Sequence, residues 1–294
     1  MKNKRLTLFN IPYVVWMAFF VVIPIVMIVV YAFSSSDGGF TFENFSNMGA
    51  YAVVFGRSFK LALIATAICL LIGYPISYIM SKEGPGFQRI AMVLIMLPMW
   101  MNFLLRTYSW MSILENNGLL NQFFQKIGLI DLYNNIAFHF CADPSLFEPI
   151  THFQMIGTQG AVILGMVYNY LPFMILPIYS VIVKLDYSLL EAARDLGANS
   201  AGVFRKVILP LSLPGVLSGI TMVFVPSVST FAISRLLGGG TQMLLGDLIE
   251  QQFLGGAYNP HLGAAISLVM MVVVVLCMVV MNRFGEGEEQ AVML

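Results

Sequence analysis

The sequence predicts an all-α integral membrane protein with six transmembrane helices, and three observations carry this prediction. Of its 294 residues, 59% are hydrophobic and 10% are charged, whereas soluble domains average about 45–50% and about 25%. The apolar residues are gathered in long blocks spread along the whole chain. None of these blocks contains Asp or Glu. A single transmembrane domain over residues 1–294 is therefore the simplest organisation.

Six blocks are long enough to cross a bilayer as helices. A crossing takes about 20 apolar residues, because lipid offers no partner to exposed backbone groups. The blocks lie at about 11–33, 58–80, 90–111, 160–183, 211–234 and 262–283. The first follows Lys2, Lys4 and Arg5. It is too long for the apolar part of a signal peptide, so we expect it to be retained as an anchor.

The basic residues predict the orientation in the membrane. With the N-terminus inside, ten of the 15 Lys and Arg residues fall in cytoplasmic segments. The positive-inside rule then places both termini in the cytoplasm. The longest outer connection covers about 112–159. We expect it to be a partly structured external segment, with a helical stretch at Leu119–Ile127 and a turn at Asp143-Pro144.

The loop between the fourth and fifth blocks, about 184–210, is unusually rich in charge for this chain. Ser188 followed by Glu191 has the spacing of a capping box, which predicts a helix that starts at Ser188. Gly197 is well placed to end that helix in a left-handed conformation. Between them, four residues at helical spacing share one apolar face: Leu189, Ala192, Ala193 and Leu196.

This short helix has two interpretations. It either docks in the groove of a protein partner or lies on lipid headgroups. A headgroup-bound helix needs a cationic polar face, whereas Glu191, Arg194 and Asp195 give this face both signs. The small Ala side chains also let another backbone come close, which favours the protein partner. After the helix, Asn199 and Ser200 are positioned to cap a second one.

The residues of the loop resemble those of one family. Glu191-Ala192-Ala193, Gly197 and Leu209-Pro210 match the EAA-x3-G-x9-I-x-L-P motif of ABC importer permeases, with Val207 in the isoleucine position. The likeness extends over essentially the whole chain. It implies a type I importer fold in the cell inner membrane. It also implies that the loop couples the permease to an ATPase subunit through Glu191, Ala192, Ala193, Gly197, Leu209 and Pro210.

Within that family, three stretches resemble the permeases of spermidine/putrescine importers. They are Leu97-Pro98-Met99-Trp100, Leu105-Arg106-Thr107-Tyr108 and Asn116-Asn117-Gly118. The resemblance implies a polyamine as solute, with iron as the alternative within the same branch. It also implies the partners: a second permease subunit that completes the path, two ATPase subunits and a periplasmic solute-binding protein.

Other function classes find little support in the residues. The 15 basic and 15 acidic residues balance, which gives no indication of nucleic-acid binding. No phosphate-binding loop of the Gly-x-x-x-x-Gly-Lys-Ser/Thr type occurs, so ATP hydrolysis by that mechanism needs another subunit. The three histidines fall in outer segments, and the stretch from His139 to Asp143 lacks an established metal spacing. We therefore expect neither a catalytic site nor a cofactor or metal.

A secondary transporter is the main rival among transport functions. Such proteins place ionisable coupling residues at mid-membrane, whereas Arg106 is the one charge well within a predicted span. Its side chain has three possible roles: it snorkels to the interface, pairs across a subunit contact or lines the path. The outer acids Glu115, Asp131 and Asp247 are candidates to guide a cation.

A path for a flexible polycation needs carboxylates, carbonyls or aromatic faces. Each face contributes about 0.5–2 kcal/mol to binding an ammonium group. The candidates on this chain are Trp100, Tyr108, Trp110, Tyr168, Asn169 and Tyr170. The alternative for each is an aromatic belt at the outer interface or simple packing. Gly215 and Gly219 predict a close helix contact, either within the chain or between subunits.

Overall fold

The computed structural model describes residues 12–35, 38–140 and 148–292, and it is helical almost throughout these ranges. A single antiparallel bridge, between Ser34 and Phe40, is the only extended pairing in them. Lys2, Lys4, Arg5 and the predicted turn at Asp143-Pro144 lie outside the described residues. The helices are α1 (Pro12–Ala32), α2 (Glu43–Asn47), α3 (Ala52–Lys82), α4 (Pro85–Trp100), α5 (Phe103–Leu114), α6 (Leu119–Lys126), α7 (Leu129–Phe140), α8 (Gln159–Ile182), α9 (Tyr187–Asp195), α10 (Ser200–Leu211), α11 (Leu213–Ser229), α12 (Ala232–Leu237), α13 (Leu245–Leu254) and α14 (Pro260–Val292).

The all-α fold and its six spans are confirmed. Four stretches are long and apolar enough to cross a bilayer: α1, Glu43–Lys82, α8 and Pro260–Met281. Two bent helix pairs bring the number to six when each pair is counted as one span: Pro85–Trp100 with Phe103–Lys126, and Ser200–Leu211 with Leu213–Ser229. The described side chains of α1 are mostly exposed and Ala32 alone among them is buried, as expected of a helix whose neighbours are lipid.

The third predicted span, about 90–111, is not one continuous helix. Its two halves meet at 90° around Met101 and Asn102. Pro98 lacks the N–H that would continue the hydrogen-bond ladder, and Met101 is extended with ψ 150°. Asn102 then starts α5, because its Oδ1 accepts hydrogen bonds from the backbone N–H groups of Leu104 at 2.9 Å and Leu105 at 3.3 Å. The side-chain cap replaces backbone partners lost at the break.

The fifth predicted span, about 211–234, is also shorter and bent. Helices α10 and α11 meet at 60° around Ser212. The Ser212 hydroxyl donates to the carbonyl of Leu209 at 3.0 Å and lies 2.8 Å from the hydroxyl of Tyr74. The buried hydroxyl thus supplies a hydrogen-bond donor to a carbonyl at the break between the two helices. At the other end, α11 stops at Ser229, and Thr230 is extended.

The core of residues 56–247 is built on the contact between α8 and α11. A Cβ at Gly215 would lie 2.9 Å from the carbonyl oxygen of Pro177, and one at Gly219 would lie 2.8 Å from Sδ of Met174. Two glycines one helical turn apart therefore let the backbones touch. The pair of small residues predicted from the sequence thus joins neighbouring helices of the same chain. Buried side chains on both sides of this contact include Met174, Ile178, Val216 and Val223.

The described residues of 12–55, together with 248–277, form a second compact unit with its own apolar cluster. Its buried residues are Ala32, Ala264 and Ala265, with Phe33, Phe45 and Phe253 packed against them.

In the predicted outer segment, the side-chain amide of Asn121 accepts a hydrogen bond from the backbone N–H of Phe153 at 2.9 Å and donates one to the Phe153 carbonyl at 3.0 Å. That segment is folded where it is described, and the predicted helix at Leu119–Ile127 is present as α6.

The glycine contact predicts unequal costs for the same substitution. Gly215→Ala meets a backbone oxygen, which cannot move away, so we expect it to reduce the free energy of unfolding by about 1–3 kcal/mol. Gly219→Ala first meets the flexible end of Met174, so a smaller loss is expected. Gly56→Ala is the matched control, because its Cβ enters open space on α3. Thermal unfolding in detergent measures all three, and equal effects would contradict this packing.

Candidate functional site

The charged loop forms the short helix α9, which begins one residue earlier than predicted. Its cap is Asp186, whose Oδ1 accepts a hydrogen bond from the backbone N–H of Ser188 at 2.9 Å. The predicted cap at Ser188 is therefore wrong. Asp is as good a capping residue as Ser, and it stands two positions closer to the preceding span. The hydrogen bonds from the Ser188 backbone N–H and hydroxyl lower the pKa of the Asp186 carboxyl.

The end of α9 is confirmed at Gly197, which has φ +84°. The backbone N–H of Ala198 donates to the carbonyl of Ala193 at 3.0 Å, and that of Gly197 donates to Arg194 at 2.8 Å. These two bonds form a Schellman motif, which satisfies carbonyls at the helix end. Glycine occupies the left-handed position because a Cβ there costs about 1–2 kcal/mol.

The predicted apolar face of α9 is uncovered. None of the helix residues is buried, Leu189 is 48% exposed and Leu196 is 90% exposed. Ala192 is exposed and Ala193 is partly exposed. A helix this short does not hold itself together in water. An uncovered apolar stripe on such a helix is typical of a surface that contacts another protein or a membrane.

The second helix of the loop, α10, leads back into the membrane span. Asn199 caps it as predicted, accepting from the backbone N–H of Gly202 at 2.8 Å. A π-helical turn follows at Phe204–Ile208, and the Phe204 ring packs edge-on against the rings of Tyr74 at 5.8 Å and Tyr78 at 5.3 Å. The exposed Leu209-Pro210 pair lies in the last turn of this helix.

Four of the six candidate path residues lie on two facing helices. Trp110 of α5 stands edge-on to Tyr168 of α8, with ring centroids 5.4 Å apart. Asn169 is buried, and its amide donates to the carbonyl of Gly165 at 2.9 Å. The Tyr170 hydroxyl donates to the carbonyl of Pro226 at 3.4 Å. All four side chains thus make ring contacts or hydrogen bonds within the chain.

The other two candidates are apart from this group. Trp100, the last residue of α4, is 74% exposed, and Tyr108 on α5 is 47% exposed. The 90° bend separates their helices. The sequence predicts one continuous span at about 90–111, in which both residues would share a helix. Both side chains are exposed, whereas Trp110 and Tyr168 are partly buried.

Arg106 is buried beside this aromatic group. Its side chain is 7% exposed, and its Cζ lies 6.0 Å from the centroid of the Tyr168 ring. Nε and Nη1 are buried without a hydrogen-bond partner within the described residues. This burial excludes the snorkelling role. A guanidinium stays charged inside a protein, so the Tyr168 face is already occupied by a cation.

Among the outer acids, Asp247 has a structural role. It is 4% exposed, accepts hydrogen bonds from the Ser234 hydroxyl and from the backbone N–H of Leu244 at 3.1 Å, and lies 3.9 Å from Nε of Arg235. These contacts tie α12 to the start of α13. Glu115 and Asp131 are exposed, as a guiding role requires.

Comparison with known proteins identifies the family. The model of binding-protein-dependent transport system inner membrane components matches residues 73–287. The chain is 39% identical over 279 residues to the Spermidine/putrescine transport system permease protein PotB of Haemophilus influenzae, covering 92% of this chain and 91% of the relative. The chain belongs to this family of inner membrane transport components. It is also 36% identical over 276 residues to the PotB protein of Escherichia coli, covering 91% and 93% of the two chains.

Solved structures of ABC transporters have the same fold as this family member. A bacterial ABC transporter involved in the import of the acidic polysaccharide alginate matches with a TM-score of 0.73 at 17% identity, over 97% of this chain and 96% of that one. The methionine transporter MetNI in an inward-facing form matches with a TM-score of 0.56 at 17% identity, over 83% and 98%. The ABC importer permease predicted from the loop motif is confirmed as the class of this chain.

The contact between Arg106 and Tyr168 predicts a measurable coupling in this permease. A double-mutant cycle with Arg106→Gln and Tyr168→Leu should give an interaction free energy of about 0.5–2 kcal/mol, because leucine keeps bulk but lacks the negative ring face. Tyr168→Phe, which keeps that face, is the control and should retain most of the coupling. Unfolding in detergent provides the free energies. A cycle that closes to zero would remove the cation–π contact.

Proposed function

We propose that this chain is a permease subunit of an ATP-driven importer for spermidine and putrescine. The observation that carries the proposal is the identity of 39% and 36% to two PotB proteins over more than nine-tenths of both chains. Identity that extends over full length includes the spans as well as the loop. A solute path shared with those proteins is therefore the best supported assignment. A second permease subunit would supply the other half of the path.

The helix α9 is proposed to dock on an ATPase subunit. Its support is the uncovered stripe of Leu189, Ala192, Ala193 and Leu196, bordered by Glu191 and Asp195. Docking would bury the stripe, and the charges would border the contact. Glu191, Ala192, Ala193 and Gly197 belong to this surface and its end. Leu209 and Pro210 instead direct the chain from the loop into α11.

This docking sets the orientation that we propose. The ATPase subunits bind on the cytoplasmic side, so the 184–210 loop and both termini lie in the cytoplasm. The segment at about 112–159 then faces the periplasm, where a solute-binding protein would deliver the polyamine. The distribution of basic residues along the sequence supports the same orientation.

The solute path on this chain is proposed to use Trp100 and Tyr108, whose side chains are exposed. Trp110, Tyr168, Asn169 and Tyr170 would form the packed wall behind them. A second positive charge near Arg106 is repelled at low dielectric, so an ammonium group needs acidic partners elsewhere. Because the six apolar blocks predicted from the sequence contain no Asp or Glu, the companion permease would supply the carboxylates.

Transport would follow from a shift between two arrangements of the complex. ATP must bind one arrangement more tightly than the other, because a ligand with equal affinity for both shifts neither. The docked α9 would carry that preference to α8 and α11, the two helices that its loop joins. Alternating access to the central path is the result.

The docking surface predicts uncoupling by one substitution. Ala193→Trp fills the stripe, so solute uptake and substrate-stimulated ATP hydrolysis should fall together by about tenfold or more, which corresponds to about 1.4 kcal/mol of lost docking. Ala201→Trp is the matched control, because Ala201 is exposed on α10 outside the stripe. Both activities are measured on reconstituted complexes whose assembly has been verified. Undiminished coupling in the assembled Ala193→Trp complex would disprove the docking role.

The solute assignment is tested by uptake of labelled spermidine and putrescine into proteoliposomes that contain the complete complex. Unlabelled polyamine should compete, whereas a neutral sugar and a ferric chelate should not. Trp100→Leu should reduce uptake more than Trp100→Phe, because only phenylalanine retains a ring face for the ammonium group.

Two results would separate the parts of this proposal. Uptake of a chelate or sugar without any polyamine uptake would reject the solute and leave the permease family untouched. Equal uptake by the leucine and phenylalanine variants would instead reject the role of Trp100 and leave the solute assignment in place.

A further inference from the structure

A cavity lies behind α9, where the loop meets the ends of two spans. Its volume is about 560 Å³, within the range of about 300–1,000 Å³ that is typical of small-ligand sites. Its polar wall comes from the end of α3 and from α9 and α10, and includes Tyr78, Ser81, Lys82, Arg194 and Ser200. Its apolar wall includes Ile182, Val203 and Ile208.

One side of α9 lines the cavity, and the other side carries the uncovered apolar stripe. Tyr187, Leu190 and Arg194 line the cavity, and their spacing of three and four residues places them on one face of the helix. The uncovered stripe that includes Leu189 and Ala193 lies on roughly the opposite side. The helix therefore stands between the proposed ATPase contact and the cavity, and no residue of it is buried.

The charge of the cavity wall has one sign. Lys82 and Arg194 both line it, and no Asp or Glu is among its described lining residues. The single ion pair between described residues is the one that joins Arg235 and Asp247, so neither cation of the cavity forms an ion pair with a described residue. Nζ of Lys82 lies 4.1 Å from the Tyr78 ring centroid. Two cations beside hydroxyl groups are donors suited to a phosphate.

We propose that this cavity binds the phosphate of an acidic phospholipid headgroup. The position supports lipid as the source, because the cavity is lined by the last residues of the apolar helices α3 and α8, and such helix ends meet the headgroups of a bilayer. The aliphatic wall supports it as well, since a free phosphate would leave that wall without a partner. Basic pockets between spans are sites where acidic lipid headgroups bind.

The bound lipid would support α9 from behind. A helix without buried residues transmits displacement poorly, because it can shift without moving the spans. A headgroup in the cavity would connect α9 to the ends of α3 and α8. This consequence for coupling rests on the proposed ATPase contact, whereas lipid binding itself does not.

The experiment measures lipid binding directly. The chain is purified with the subunits that accompany it, placed in nanodiscs of mixed phosphatidylglycerol and phosphatidylcholine, and its retained lipids are counted by native mass spectrometry. Phosphatidylglycerol should be enriched on the wild-type protein. The Lys82→Gln/Arg194→Gln double variant should bind it about 25-fold more weakly, because each basic residue at an acidic surface contributes about fivefold.

The matched control is Arg89→Gln/Arg283→Gln, which removes two charges from exposed positions that do not line the cavity. It should bind the lipid as the wild type does. Leu190→Trp is a second test that keeps both cations, because it fills the apolar part of the cavity and should also exclude the lipid. Arg194→Lys should retain binding, and gel filtration verifies folding of each variant.

Three results would overturn the site: no enrichment of phosphatidylglycerol, an equal loss in the control variant, or undiminished binding in a folded Leu190→Trp protein. Displacement of the lipid by inorganic phosphate at equal concentration would overturn the lipid as its occupant. Failure of polyamine uptake with intact lipid binding would count against the proposed function alone.

Discussion

The close contact between α8 and α11 determines where the charged loop is held. Gly215 and Gly219 bring the backbone of α11 against α8, and buried side chains on both sides continue the contact along the membrane. Helix α8 ends at Ile182 and α11 begins at Leu213. Both ends of the loop are therefore anchored in one packed pair. A displacement that is transmitted through the loop therefore reaches both spans of this pair.

The hydrogen-bonding requirement that makes most of the chain helical also limits where its spans can break. Backbone groups in lipid need partners within the protein, so a helix can stop inside the membrane only where side chains replace the lost bonds. Asn102 does this at the start of α5, and Ser212 does it between α10 and α11. Each break changes the direction of the chain, which places short helices at angles that a straight span does not allow.

Arg106 limits how a polycation can pass along this chain. Its buried guanidinium takes the face of Tyr168 that an ammonium group would otherwise use. The cation–π contact offsets about 0.5–2 kcal/mol of the cost of burying the charge, which amounts to several kcal/mol. Acceptors for the remaining donors must come from outside the described residues. In the proposed complex, a carboxylate of the companion subunit near this position would neutralise Arg106.

The fold class, the six apolar segments and the loop with its family motif were all predictable from the residues alone. Long apolar blocks without acids leave few alternatives in lipid, and Gly197 is required by the left-handed end of α9, which is a local property. Gly215 and Gly219 also indicated a close contact from spacing alone. The tertiary structure decided which helices meet there, because spacing does not specify a partner. It likewise decided the 90° bend near Asn102, the cap at Asp186 and the burial of Arg106. Each of these depends on which groups compete for the same hydrogen bond or the same space, and that competition exists only once the helices are packed.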